Sequence, residues 1–239
     1  MSALRLGAVA LFSFALFAPL AACTPAPSDD AASETSDQAV TFGLPGNALP
    51  VPLVRQHEDY SCGDVATLAL LRYWKWDDFA HTPETALYAP LHTSAKDGTD
   101  PAPMADYLSR VAGVSAEYQS GDVSVADLER AVDRGEPPIV DIQAWQDVQR
   151  LADLKPWQSD WNDGHYVVLV GYDARNFFFM DPSTHGTYAF IPRGELEARW
   201  HDVVGAANVH TQHMVIFVHA TTTPHAPSRA LPPRASPIH

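Results

Sequence analysis

A cysteine nucleophile needs three things around its sulfur: a setting that favours the thiolate, a base, and donors for the developing oxyanion. Four residues have the types and spacing to supply them. Cys62 stands in QHEDYSCGDVATLA at the head of an apolar run. If it opens a helix, free backbone N–H groups and the positive end of the helix dipole favour its thiolate. Gln56, a few residues upstream, is placed so that its amide swings beside the sulfur and, with the Cys62 N–H, holds an oxyanion. His165 opens HYVVLVGY straight after Gly164, at a strand end from which a side chain reaches a cleft. Across a turn near Ala174 and Arg175, the residue opposite His165 falls within a few positions of Asp181, which ends NFFFMD before Pro182. Asp181 is thus the orienter of His165; the rival, Asp173, falls at the turn itself.

Each residue also has a plain structural reading. Cys62 alone reads as an inert core thiol, since cysteine is among the most buried residue types. His165 alone reads as a satisfied strand-end histidine, and Asp181 alone as a turn-former before proline. The acids Glu58, Asp59 and Asp64 oppose a thiolate, because nearby negative charge disfavours it. A protonated His165 outweighs them, since opposed charges about 4 Å apart and partly buried are worth several kcal/mol. Asp64, two residues after the cysteine, has no role in this scheme.

Other chemistry is thinly represented. His210 and His213 in HTQH lead into a strand, where positions three apart face opposite ways, and read as surface residues. His201 reads as a support for the sheet. No set of His, Cys and paired carboxylates has metal-ligand spacing, so no metal or other cofactor is expected. Trp145, Trp157 and Trp161 lie in AWQDVQRLADLKPWQSDWNDG, just before His165. They make either a small satellite core under a long loop, the favoured reading, or an aromatic cleft wall. In the second case Trp157, Trp161 and Tyr166 line the cleft.

The elements that must position these residues fall into a helical front and a stranded back. CGDVATLALLRYW, residues 62–74, is apolar on nearly every face and reads as a buried helix with Ser61 as N-cap. In PAPMADYLSRVAG, Met104, Leu108 and Val111 share a face and Gly113 is the stop. In SVADLERAVDRG, Ser124 and Asp127 form a capping-box pattern, Val125, Leu128 and Val132 face inward, and Gly135 closes the helix. PPIVDIQ is a strand. HYVVLVGY and NFFFMD form a hairpin across DARN, and GTYAFI is its third partner. GELEARW is a short helix with Leu196 and Trp200 inward, and HMVIFVH is a last strand. Helices followed by a mainly antiparallel sheet give an α+β domain of two packed lobes.

The 239-residue chain divides into four expected parts. Residues 1–22 carry Arg5 and then LGAVALFSFALFAPLAA, a secretory-signal pattern too short for a bilayer span of about 20 residues. Leu20-Ala21-Ala22-Cys23 resembles the lipobox of bacterial lipoproteins. That resemblance implies lipidation of Cys23, a lipid anchor, and, with Thr24 following, the outer membrane facing the periplasm. Residues 23–50, rich in Ala, Ser, Pro and acid, read as a disordered tether. Residues 51–219 form the domain. Residues 220–239, proline-rich, read as a disordered tail. With Cys23 lipidated, Cys62 has no intramolecular partner in an oxidising compartment, so it is either buried or used. A formal net charge of −14 and no basic cluster argue against nucleic acid as a partner.

QHEDYSCG, GHYVVLVGYD and FMDPSTHG, in that order, resemble the bacteriocin-processing peptidase family, papain-like cysteine proteases that trim leader peptides after a double glycine. The resemblance spans about residues 52–217. It implies a papain-like fold, with Cys62 as nucleophile, His165 as general base, Asp181 as its orienter and Gln56 in the oxyanion hole. It also implies an extended peptide or protein as partner, with any secretion-system partner unspecified. The chain departs from the family where Asp64 and Val65 follow Gly63 in place of small neutral residues. No transporter domains follow the peptidase, as in free-standing exported members. Two alternatives share the cleft: hydrolysis of cell-wall peptide with the same triad, and non-catalytic docking of peptides.

Overall fold

The computed structural model describes residues 41–146, 156–205, 207–225, 232 and 234–238. Residues 1–40 lie outside it, so Cys23, the signal and most of the tether do too.

The apolar run after Cys62 is helical because it is rich in Ala and Leu and holds no proline. It forms α1 (Cys62–Trp74), buried from Gly63 to Leu71. Two single turns follow, α2 (Trp76–Phe79) and α3 (Thr85–Tyr88), then α4 (Pro101–Arg110). Proline at the first position of α4 suits a site whose N–H has no intrahelical partner. α4 buries Met104 and Leu108 and ends at Arg110, with Val111 already extended and Gly113 at φ +78°. α5 (Val125–Asp133) carries the Ser124/Asp127 capping box, and Gly135 follows it at φ +78°. Ser61 occupies the N-cap of α1 without capping it. Its hydroxyl instead donates to the Glu58 carbonyl and to Glu84.

Eight strands make one sheet in the order β1 (Phe42–Gly43), β10 (Arg234–Pro237), β6 (Tyr188–Pro192), β5 (Asn176–Met180), β4 (Gly164–Tyr172), β3 (Ile139–Gln143), β9 (Val215–Ala220) and β2 (Val114–Gln119). Every pairing is antiparallel except β10 with β6. A separate ribbon pairs β7 (His201–Val204) with β8 (Val209–Gln212), and α6 (Arg193–Arg199) precedes it. The central strands are apolar at successive positions because both faces are covered. Ile139, Val168, Phe178 and Ile216 pack with α1 and α4, whereas Val140, Val167, Phe177 and Val215 pack with Leu128 of α5 and Leu196 of α6. The α+β class and the mainly antiparallel sheet follow the expectation, but helices cover both faces of the sheet.

Two expected boundaries are corrected. Residues 42–50 belong to the domain: Leu44 and Leu49 pack on the core, and the Leu49 N–H bonds the Val170 carbonyl. The supposed tail returns as β10, with Ala235 and Ile238 buried. A buried cation explains why it does so. The Arg199 guanidinium, fully enclosed, pairs with Glu195 and donates to the Gln143 and Ile238 carbonyls, so the chain end supplies one of its acceptors. Composition hid both segments, because their order comes from pairing with distant strands.

Candidate active site

α1 begins at Cys62, so the thiol sits on its first turn, half-buried and free. The segment before it is held from behind by Glu84. This buried carboxylate accepts the His57 N–H, the Ser61 hydroxyl and the Tyr88 hydroxyl. No sequence pattern pointed to Glu84.

The hairpin β4–β5 supplies the next two residues. Its register pairs Val168 with Met180 and shifts by one through a bulge between Leu169 and Gly171. Continuing from Val168–Met180 sets Asp181 across from Val167, diagonal to His165. The His165 Nε2 to Asp181 Oδ1 distance is 2.7 Å with both residues buried. Asp181 Oδ1 also accepts the Ser183 N–H and hydroxyl. Asp173, the rival orienter, accepts the Arg175 and Asn176 N–H groups within the turn. His165 Nδ1 is buried with no hydrogen-bond partner among the described residues.

Electrostatics at this pair are decided by competition. Burial alone lowers the His165 pKa, but the charge and hydrogen bond of Asp181, joined by the neighbouring Cys62 side chain, lift it to about 10. Burial likewise opposes ionisation of Asp181, yet His165 and the Ser183 donors hold it below its ordinary value. At neutral pH the pair is therefore imidazolium and carboxylate, beside Cys62. Trp145 lies against the imidazole, ring centroids 4.4 Å apart.

Gln56 sits next to the orienter's strand end, its N–H bonded to the Pro182 carbonyl. Its side-chain Nε2 donates one hydrogen to the Glu58 carbonyl, and Oε1 is buried without a partner among the described residues. The amide is thus fixed, with a second N–H on Nε2 to give.

Beside Cys62 opens a cleft of about 260 Å³. Trp161 and Tyr166 line it. Trp157 does not: it lies beneath the Arg199 guanidinium, 3.9 Å from its ring centroid, because that buried cation needs an aromatic face. Trp145 turns out to be the tryptophan on the imidazole. Trp161 is wedged between His201 and His210, centroids 4.3 and 4.4 Å away. His201 is buried and meets the Asp160 carbonyl through Nε2. His210 is exposed on β8, and half-buried His213 pairs with Glu197 and stacks on Trp200. Among the described residues no group of His, Cys and carboxylates has the geometry to hold a metal.

Asp64 now has a place. It is buried on α1 and accepts the Thr93 hydroxyl at Oδ1 and the Thr99 hydroxyl at Oδ2. Burial pushes its pKa up to about 6, against the pull of those two hydroxyls. It staples the helix of Cys62 to the 93–99 loop, part of which lines the cleft.

The family model described as Peptidase_C39 like family matches residues 48–208. The chain belongs to that family. Its fold is shared with a C39-like peptidase from Bacillus anthracis, at TM-score 0.52 and 15% identity over 74% of this chain and 98% of that one. Weaker likenesses at TM-score 0.47 include a double glycine motif protease from the AMS/PCAT transporter in complex with its leader peptide, 17% identical over 76% of this chain and 99% of that one. The peptidase domain of Streptococcus ComA is 15% identical over 72% and 99% at the same TM-score. No curated protein sequence matches the chain. The C39-like domain has the papain-like α+β fold, that of a cysteine peptidase.

Proposed function

We propose that this C39-like chain hydrolyses peptide bonds through a triad of Cys62, His165 and Asp181, with Gln56 in the oxyanion hole. The observation that carries the reading is the buried 2.7 Å bond from His165 Nε2 to Asp181, which leaves Nδ1 free of Asp181 with the Cys62 side chain beside the ring. A histidine oriented in this way, and protonated at neutral pH, is half of a thiolate–imidazolium pair.

The thiolate sulfur attacks the carbonyl carbon, and the oxygen takes up negative charge facing the Gln56 side-chain N–H and the Cys62 backbone N–H. The carbon–nitrogen bond breaks as the imidazolium gives its proton to the leaving amine, leaving a thioester on Cys62. Neutral His165 then takes a proton from water, whose oxygen attacks the thioester. The acid leaves and the thiolate–imidazolium pair is restored. Asp181 stays ionised throughout, holding the ring and its charge.

The substrate in this reading is an extended peptide, in a leader or another exported polypeptide. The AMS/PCAT protease was solved with a leader peptide, which favours that class here. The enzyme is proposed to face the periplasm, anchored by lipid at Cys23, a placement resting on residues 1–23 of the sequence. Among the described residues no helix is long and apolar enough to cross a membrane. Purified protein incubated with double-glycine leader peptides and with cell-wall muropeptides, products read by mass, tests this. Cleavage that Cys62→Ala abolishes is expected with the leader peptides. Cleavage of muropeptides alone moves the substrate to the cell wall. No cleavage of either set, with folded protein, overturns the catalytic reading in favour of a docking domain.

A further inference from the structure

The triad leaves unused a second cluster, on the wall of the cleft beside it. Asp141 lies on β3 opposite Tyr166 and is wholly buried, yet it belongs to the cleft lining. Among the described residues Asp141 meets only the His165 backbone and the Asp202 side chain, and the buried Tyr166 hydroxyl has no partner. Asp202 of β7 meets Asp141 from across the cleft wall, and its Oδ1 accepts the Gln143 amide. Gly164 makes this approach feasible: a Cβ there would fall 1.9 Å from Asp202 Oδ2. Burial first, and then the charge of Asp202, push Asp141 well above the carboxylate range, so the two acids hold a proton between them. Cys62 also contributes to that shift, which places the pair near the nucleophile.

The rest of the cleft has the same sign. Asp59 and Asp97 line it as well, and the one basic lining residue among the described residues, Lys96, is exposed and already paired with Asp97. Aromatic residues complete the wall, with Trp161 held between two histidine rings. A wholly buried carboxyl group with a second acid beside it, an unpartnered hydroxyl and aromatic surface together suit a cation, which supplies hydrogen-bond donors, positive charge and a partner for an aromatic face. They suit a glycine poorly, since it would leave every one of these groups unanswered.

We propose that this cleft is a cation subsite, taking the ammonium or guanidinium side chain of a substrate residue near the scissile bond against Asp141 and Asp202. The inference deepens the peptidase reading and rests on it. Lysine is the preferred residue at one position near the cleavage point, and norleucine, equally long but uncharged, is discriminated against.

The test uses one peptide series with lysine, norleucine or glutamate walked through the three positions on each side of the cleaved bond. Binding to the Cys62→Ala protein by calorimetry reads the subsite without turnover, and hydrolysis by the unsubstituted protein reads the triad. At one position lysine should bind about tenfold more tightly than norleucine, the scale of a partly buried charge pair, with glutamate weakest. Asp202→Asn should bring that ratio to within about threefold. Equal binding of lysine and norleucine at every position overturns the subsite, whatever the peptides' hydrolysis. Lysine preference in binding with no hydrolysis by the unsubstituted protein keeps the subsite and overturns the peptidase reading. Should Asp202→Asn not fold, the lysine-to-norleucine ratio in Cys62→Ala decides alone.

Discussion

At the scale of residues, the site depends on how burial is offset. His165 is enclosed, which by itself favours the neutral ring, and Asp181 reverses that. Its pKa in the fold lies above the unfolded value near 6.5, so the folded state holds an extra proton between there and about 10. The stability this confers is complete below about pH 6.5 and lost as pH rises through 10. Asp181→Asn should flatten that decline in melting temperature between pH 7 and 10 and reduce kcat by about 100-fold or more, because the ring loses its orienting charge. A pH–stability curve unchanged by Asp181→Asn would contradict the pairing. The pairing of His165 with Asp181 was readable because a strand end and a short hairpin fix it locally. Glu84 and Asp202 were not readable, since each reaches the site from a distant segment whose own pattern is ordinary. Asp64 looked like a defect only because its acceptors' partners, Thr93 and Thr99, are about thirty residues away in sequence.

At the scale of elements, α1 is positioned by contact with the 93–99 loop, and two residues beside the nucleophile carry that contact. A Cβ on Gly63 would meet Thr99 Cβ at 2.8 Å and Met104 Sδ at 3.2 Å. Gly63→Ala should therefore force the helix off the loop and cost about 1–3 kcal/mol by overpacking, measured by urea denaturation; a neutral result would show that the loop gives way freely. Asp64 makes the same junction sensitive to pH. Its carboxyl holds its proton more tightly folded than unfolded, so this contribution to stability declines as pH rises from about 4 to about 6. Asp64→Asn should remove that decline, seen as a flatter melting temperature over the same range. The long apolar runs of α1 and the β4–β5 hairpin, and the helical period of α5, were legible in the sequence. β2 and the β7–β8 ribbon were not, because β2 is polar along one side and β8 is largely exposed, so neither has the apolar signature of a core strand.

At the scale of the whole molecule, both ends of the described chain close the sheet. β1 and β10 extend the edge beyond β6, and Arg199 anchors the last residues through the Ile238 carbonyl. Removing residues 232–239 should expose the β6 edge and leave a buried guanidinium short of an acceptor. Losing one hydrogen bond to a buried charge costs about 1.5–3 kcal/mol, so the melting temperature should fall by about 3 °C or more. Truncation with no change in melting temperature would mean that β10 adds nothing to the domain. Closure of this kind is written in pairings between distant segments, which is why a proline-rich end read as a tail. The claim about the molecule that matters most is that Cys62 is a nucleophile activated by His165. It is tested most directly by the rate at which iodoacetamide alkylates Cys62 from pH 5 to 9, in the unsubstituted protein and in His165→Ala. Rapid alkylation is expected already at pH 6, with a loss of about tenfold or more at that pH in His165→Ala. Alkylation that rises only near pH 8.5, the range of an ordinary thiol, and is unchanged by His165→Ala would contradict it.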